Sequence, residues 1–340
     1  MLKSLFFVSK PLELLGAIEA KKQFNLTDSI LVYSCKDNSD KKTIEFLIKN
    51  HSNWTEVIFV KHKPYYGLFW VRLIHKLRKE NYHYLFTRAF SAAAYFIHNL
   101  TYQKHFLLDD GAATIEISRE FVENGNLTKR FSLFRGLNKT GKKYALISFI
   151  YNVFNIYVEK EVNFVNFFTF YNIEASDKLT VVTNKMQWLK ELSKTTSPTI
   201  HKEIVYVIGT DVIQCKILSE NDYLNTIILI KEYYPTKKIC YIPHLNEEDS
   251  FIDSIKEHGI SVQKNKFTIE LDFILNNITP LHIAGTISTA LISLKLIYGS
   301  QLKVDYFNFD STKISAKNNE NLNGVYDYQN KFINSIKIEY

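Results

Sequence analysis

Short apolar runs alternate with stretches of helical apolar spacing along most of this chain, which restricts it to the α/β class, with parallel strands buried between layers of helices. Ser4 to Val8 reads as a buried strand. Pro11 to Phe24 follows as a helix, with Leu12, Leu15 and Ile18 at helical spacing and Pro11 suited to a first turn. Strands at Ser29 to Tyr33 and Glu56 to Val60 and helices at Lys41 to Lys49 and Leu68 to Glu80 continue the series, then Tyr84 to Thr87, Ala92 to Leu100 and His105 to Leu108. A second series has strands at Glu203 to Ile208, Lys238 to Ile242, Ser261 to Gln263, Leu281 to Ala284 and Leu302 to Asn308. Its helices are Asn221 to Tyr233, Phe251 to Glu257, Ile269 to Leu275 and Ala290 to Ile297. The expectation is two doubly wound, Rossmann-like domains facing a central cleft: residues 1–170, a connection over 171–202, and residues 203–340. A length of 340 residues suits two domains of roughly 150 each.

Residues 112–170 break the rhythm with turn-like Gly-Asn-Leu and Gly-Leu-Asn and the aromatic-rich stretch Tyr144 to Tyr171. It reads as connecting helices and an insertion, chiefly buried packing with one wet face; packing between domains, a dimer contact and a lipid contact are the uses its aromatic content allows. The apolar run Tyr144 to Val158 is cut by Ser148, Asn152 and Asn155 and falls short of the roughly 20 residues that span a bilayer. The start of the chain is expected to hold no signal peptide, because Lys10 and Pro11 cut its apolar run and no small-residue cleavage site follows.

With 46% hydrophobic and 23% charged residues the chain is a folded protein. The excess of 42 Lys and Arg over 35 Asp and Glu is spread singly, without the basic face or arm of a nucleic-acid protein. A weak attraction to anionic lipid or an acidic saccharide is compatible with it. Cys35, Cys215 and Cys240 stand far apart, an odd number without metal spacing, which fits a reducing, cytoplasmic setting.

Ligands in doubly wound folds sit beyond the carboxyl ends of the strands, so the residues just after strands carry most information. Four such places are polar or glycine-containing: Asp109-Asp110-Gly111, Gly209-Thr210-Asp211, Pro243-His244 and Gly285-Thr286-Ile287-Ser288-Thr289-Ala290, the last leading into a helix start able to hold an anion. Singly each has a plain explanation. Asp-Asp-Gly is usually a turn, a His after Pro a satisfied loop residue, and Ser288-Thr289 an N-cap. Asp249, Asp253 and Glu247-Glu248 read as a solvated acidic face at a helix start.

Together with Tyr241-Ile242-Pro243-His244, Ile269-Glu270 and Ser288-Thr289-Ala290-Leu291, these motifs, in this order, resemble the bacterial lipooligosaccharide sialyltransferases, glycosyltransferase family 52, and more distantly the bacterial polysialyltransferases. The resemblance spans roughly Lys104 to Asn308, with a similar opening at Ser4 to Ala20. One departure is Leu245-Asn246 after His244, where relatives carry Pro or Arg. The resemblance implies a GT-B architecture with an acceptor-side first domain and a CMP-sugar-binding second domain. It also implies inverting transfer of sialic acid from CMP-sialic acid to a glycan hydroxyl, such as that of galactose, with neither a metal nor another cofactor.

Such a reaction needs a base for the acceptor hydroxyl and preorganised donors for the departing phosphate. By resemblance Asp211 is the base, or else an acidic residue of the Asp109-Asp110 pair, as in the polysialyltransferases. His244, Ser288 and Thr289 would hold the phosphate, alongside Gly209, Thr210 and Pro243, and Glu270 the ribose. Homodimers in the family and the aromatic stretch suggest a dimer, and a peripheral contact with the inner membrane is the other expected association. Transfer of another CMP-activated nonulosonic acid or another nucleotide sugar, or a non-enzymatic role in binding polyanions or membranes, are the competing readings.

Overall fold

The computed structural model describes residues 3–51, 53–61, 68–135, 141–195 and 198–315, with 318, 322, 325, 326, 329, 330 and 333–336. The chain divides into two compact units, Met1–Lys185 and Met186–Tyr340.

Unit 1 runs β1 (Ser4–Val8), α1 (Pro11–Gln23), β2 (Ser29–Tyr33), α2 (Asn38–His51), β3 (Glu56–Phe59), α3 (Leu68–Leu77), β4 (Asn81–Thr87), α4 (Ala94–Ile97), β5 (Thr101–Leu108), α5 (Ala113–Asn124), α6 (Lys142–Val153), β6 (Val165–Thr169) and β7 (Leu179–Thr183). Its sheet has the order β3-β2-β1-β4-β5-β6-β7, and every neighbouring pair is parallel. Helices cover both faces, so β1 and β2 are buried along their whole length and read as unbroken apolar runs. Phe6 of β1 stacks on Phe86 of β4 at 4.5 Å, and Trp70 of α3 stacks on Tyr95 of α4 at 4.6 Å. Each such ring contributes about 1.5–3 kcal/mol by burial.

Unit 2 runs α7 (Gln187–Leu192), β8 (Thr199–His201), β9 (Ile204–Ile208), α8 (Glu220–Tyr233), β10 (Lys238–Ile242), α9 (Asp249–Glu257), β11 (Ser261–Val262), α10 (Ile269–Leu275), β12 (Ile278–Pro280), β13 (His282–Gly285), α11 (Thr289–Tyr298), β14 (Lys303–Phe307) and β15 (Asn334–Ile336). The main sheet, β11-β10-β9-β13-β14-β15, is again parallel throughout, while β8 and β12 form a separate parallel pair.

The class is therefore α/β with two doubly wound units of the same winding. In unit 1 the strand order reverses between β1 and β4, and in unit 2 between β9 and β13. At such a reversal the loops leaving the two strands turn to opposite faces of the sheet and open a crevice.

Among the described residues the structure has five strands that the sequence reading does not mark: β6, β7, β8, β12 and β15. β6 lies inside the aromatic-rich segment and joins the sheet beside β5, and β7 within residues 171–202 is the next strand of that sheet, so this span is not a plain connection. α6 buries Ile147 and Tyr151 but turns Leu146, Phe149 and Val153 outward, so its wet face is apolar. Among the described residues no helix is long and apolar enough to cross a membrane.

Candidate functional site

In unit 2, β9 and β10 are neighbours with Ile208 opposite Ile242, so the turns Gly209-Thr210-Asp211 and Pro243-His244 start side by side. The Gly209 N–H donates to the Ile242 carbonyl at 2.8 Å. A Cβ on Gly209 would stand 2.6 Å from Tyr241 Oη, 2.9 Å from Glu247 Oε1 and 2.9 Å from the His244 nitrogen, so only glycine lets the two turns pack this closely.

A relay of hydrogen bonds fixes that packing. Thr210 N–H donates to Tyr223 Oη at 3.1 Å, the Tyr223 and Tyr241 hydroxyls lie 3.2 Å apart, and Tyr241 O–H donates to Glu247 Oε1 at 2.7 Å. With the Tyr241 proton committed to Glu247, the Tyr223 proton goes to Tyr241, and each hydroxyl both accepts and donates. The Glu247 N–H closes the second turn on the His244 carbonyl at 3.0 Å.

Glu247 corrects the reading of Glu247-Glu248 as a solvated acidic face. Its exposure is 8%, Oε2 has no hydrogen-bond partner, and burial pushes its carboxyl up to about 7 against the pull of the Tyr241 hydroxyl and nearby amides. Glu248, Asp249 and Asp253 are exposed as expected, with Asp249 paired to Lys264 and Asp253 to Lys256.

His244 is half-buried, and its Nδ1 accepts the Asn246 N–H at 3.3 Å, which in the neutral ring places the proton on Nε2. Asp211 is also half-buried; its carbonyl accepts the Cys215 N–H at 2.9 Å, and the Cys215 thiol is pushed up first by burial and then by the nearby Asp211 carboxylate.

Across the strand reversal, Gly285 of β13 lies opposite Ile208, and α11 begins after Thr286-Ile287-Ser288. Ser288 is the N-cap, its Oγ accepting Ala290 N–H at 3.3 Å, and Thr289 is the first helical residue. The Thr286 hydroxyl is buried without a partner. Gly209, Thr210, Asp211, Pro243, His244, Ser288 and Thr289 thus all stand at the carboxyl ends of three neighbouring strands. Glu270 does not: it is buried near the start of α10, where its Oε1 accepts the Ser293 hydroxyl of α11 at 2.5 Å.

In unit 1 the two aspartates after β5 separate in role. Asp109 is 3% exposed and accepts Thr169 O–H at 2.5 Å and Phe170 N–H at 3.0 Å, tying β5 to the end of β6; burial pushes its carboxyl up to about 7. Asp110, with an 11% exposed side chain, faces Arg88 at 2.6 Å and Lys10 at 3.9 Å, and Gly111 follows in the left-handed region at φ 62°.

Arg88 follows β4 and also reaches Glu13 at 3.2 Å and Ser9 Oγ at 2.9 Å. Glu13 is wholly buried in the first turn of α1 and accepts the Ser9 N–H at 2.6 Å; its carboxyl is pushed up to about 7 by burial, with Arg88 opposing. Ser9, Glu13 and Arg88 thus occupy the reversal point of unit 1. They were not singled out from sequence, although the strand-end rule that found Asp109 and Asp110 applies equally to β1 and β4. Among the described residues no group of three His, Cys, Asp or Glu side chains could hold a metal ion.

No protein-family profile and no curated protein matches the chain. Among solved structures, a heptosyltransferase from E. coli with ADP-2-deoxy-2-fluoro heptose is 11% identical, covering 96% of this chain and 99% of its own at a TM-score of 0.44. A glycosyl transferase family 9 protein from Veillonella parvula is 10% identical over 99% of this chain and 87% of its own, TM-score 0.43. A UDP-GlcNAc 2-epimerase from Methanocaldococcus jannaschii is 13% identical over 98% and 94%, TM-score 0.49. At such identities and TM-scores nothing about activity passes from these proteins to this chain.

Proposed function

We propose that this chain is a GT-B glycosyltransferase that moves sialic acid from CMP-sialic acid to a sugar hydroxyl, with inversion and without a metal ion. The observation that carries the reading is the cluster of turns at the strand reversal of unit 2. There the Gly209 and His244 turns are locked together, and beside them α11 starts with Ser288 and Thr289. Helix-start amides, hydroxyls and an Nε2–H imidazole are the donors that a departing phosphate needs where no cation supplies the charge. The ordered resemblance to the lipooligosaccharide sialyltransferases gives that phosphate its identity as CMP.

In this reading His244, Ser288 and Thr289 stabilise the leaving phosphate, with Gly209, Thr210 and Pro243 shaping the backbone around it. Asp211 takes the acceptor proton. It is preferred over Asp110, whose carboxylate is engaged by Arg88 and Lys10, and over Asp109, which is committed to β6. Glu270 acts on the nucleotide indirectly, by fixing α10 to α11.

Calorimetric titration with CMP, UMP and ADP tests the nucleotide assignment. CMP is expected to bind, with UMP and ADP at least tenfold weaker, and His244→Ala to weaken CMP. Binding of ADP or UMP in preference to CMP would overturn the donor and point to another nucleotide sugar. Salt-sensitive polyanion binding with no nucleotide affinity would overturn the enzyme reading.

A further inference from the structure

We infer that unit 1 docks on an anionic lipid surface through α3 and α6. Along α6, Leu146, Phe149 and Val153 recur at i, i+3 and i+7 and are 62%, 67% and 59% exposed, a single apolar stripe opposite the buried Ile147 and Tyr151. α3 adds Leu68 and Phe69, both more than half exposed, at its start. The two helices meet at their ends: the His75 ring stands edge-on to Phe154 at 6.1 Å, and Arg78 donates to the Asn155 carbonyl at 2.5 Å. An open groove of about 550 Å³ runs along α3, lined by Leu68, Arg72 and His75, by Lys79 beyond its end, and by Phe154 just past α6, among others. Large apolar side chains exposed along one face of α6, with Leu68 and Phe154 sharing a groove at its end, mark an interaction surface.

Charge identifies the occupant. Neither α3 nor α6 contains an Asp or Glu, while Arg72, His75, Lys76 and Lys142 are exposed on them, Lys76 sharing its charge with Glu56; just past α3, Lys79 is exposed, and the Glu80 that follows it is paired with Lys3. Apolar side chains bordered by cations, with no carboxylate on either helix, match an interface of acyl chains beneath anionic headgroups. A second copy fits less well, because a two-fold contact places the same surface on both sides and would bring these cations against their own kind.

The test is co-sedimentation of the whole chain with phosphatidylcholine vesicles and with phosphatidylcholine–phosphatidylglycerol vesicles, alongside light scattering. Binding to the phosphatidylglycerol vesicles, weakened by salt and absent from the neutral ones, is expected. The exposed-site variant Phe149→Ser should weaken it by about tenfold or more. Arg72→Glu with Lys79→Glu should weaken it at least as much. Val122→Ser, an exposed apolar change on α5, should leave it unaltered. Circular dichroism identical to the parent shows that each variant is folded, and since the two weakening variants sit on different helices, the failure of one to fold leaves the other to decide. No binding to either vesicle, equal binding to both, or a dimer that Phe149→Ser converts to monomer while vesicle binding persists would each overturn the inference.

Discussion

Gly209→Ala is a one-carbon probe of the packed turns in unit 2. The new Cβ would fall 2.6 Å from Tyr241 Oη, 2.9 Å from Glu247 Oε1 and 2.9 Å from the His244 nitrogen. One of these is backbone and the other two are bonded to each other at 2.7 Å, so no flexible side-chain end can swing away without loss. Overpacking of a tight interior costs about 1–3 kcal/mol if the turn strains, and breaking a buried hydrogen bond to a carboxylate about 1.5–3 kcal/mol if the turn parts instead. A net loss of about 1–3 kcal/mol is expected in urea unfolding followed by circular dichroism. Gly16→Ala supplies the contrast: it lies within α1, where a Cβ would meet Leu108 at an ordinary 3.7 Å, and helix propensity predicts a gain of about 0.5–1 kcal/mol. A Gly209→Ala protein as stable as the parent would refute the locked-turn argument, whatever the activity of the chain.

Glu247 titrates near 4.5 when unfolded and near 7 when folded, so between those values the folded protein holds more protons and stability falls as the pH rises through that window. Glu247→Gln should flatten this fall by up to about 3 kcal/mol, and unfolding curves with unchanged pH dependence would contradict it. Asp109→Asn turns an amide NH₂ toward Thr169 O–H or Phe170 N–H, and should cost about 1–3 kcal/mol in thermal unfolding while leaving CMP affinity unchanged. In transfer assays, His244→Ala should lower turnover about 10²-fold and Asp211→Asn about 10²- to 10⁴-fold with CMP affinity kept. Loss of transfer in Asp110→Asn with Asp211→Asn near the parent would move the base to the Asp-Asp-Gly motif.

Most strands of both sheets were legible because parallel strands covered on both faces are almost wholly apolar, as in Ser4–Val8 and Ser29–Tyr33. β6 was not, since Val165–Thr169 lies within an aromatic stretch where a buried strand and a packed helix have the same composition. The strand-end residues were found by topology: the Gly209 and Gly285 turns leave the two strands between which the winding reverses in unit 2, the Pro243-His244 turn packs beside Gly209, and Asp109 and Asp110 follow β5, one strand away from the reversal in unit 1. Glu247 was missed because three acidic residues in a row before a helix read as solvated. Its burial comes from Gly209, Tyr223 and Tyr241, which are distant in sequence or on a facing strand and leave no local periodicity. The outward stripe of α6 was hidden for the converse reason, because apolar residues on both faces of a helix read as core whichever face is covered.

The central claim is transfer of sialic acid from CMP-sialic acid without a metal, and incubation with CMP-N-acetylneuraminic acid and a labelled galactoside in excess EDTA, followed by mass spectrometry, tests it most directly. The account predicts a sialylated galactoside, formed at the same rate with and without EDTA and reduced in the His244→Ala protein. Absence of that product from a folded chain, together with a glycosylated product from a different nucleotide sugar or one formed only when a divalent cation is restored, would contradict it.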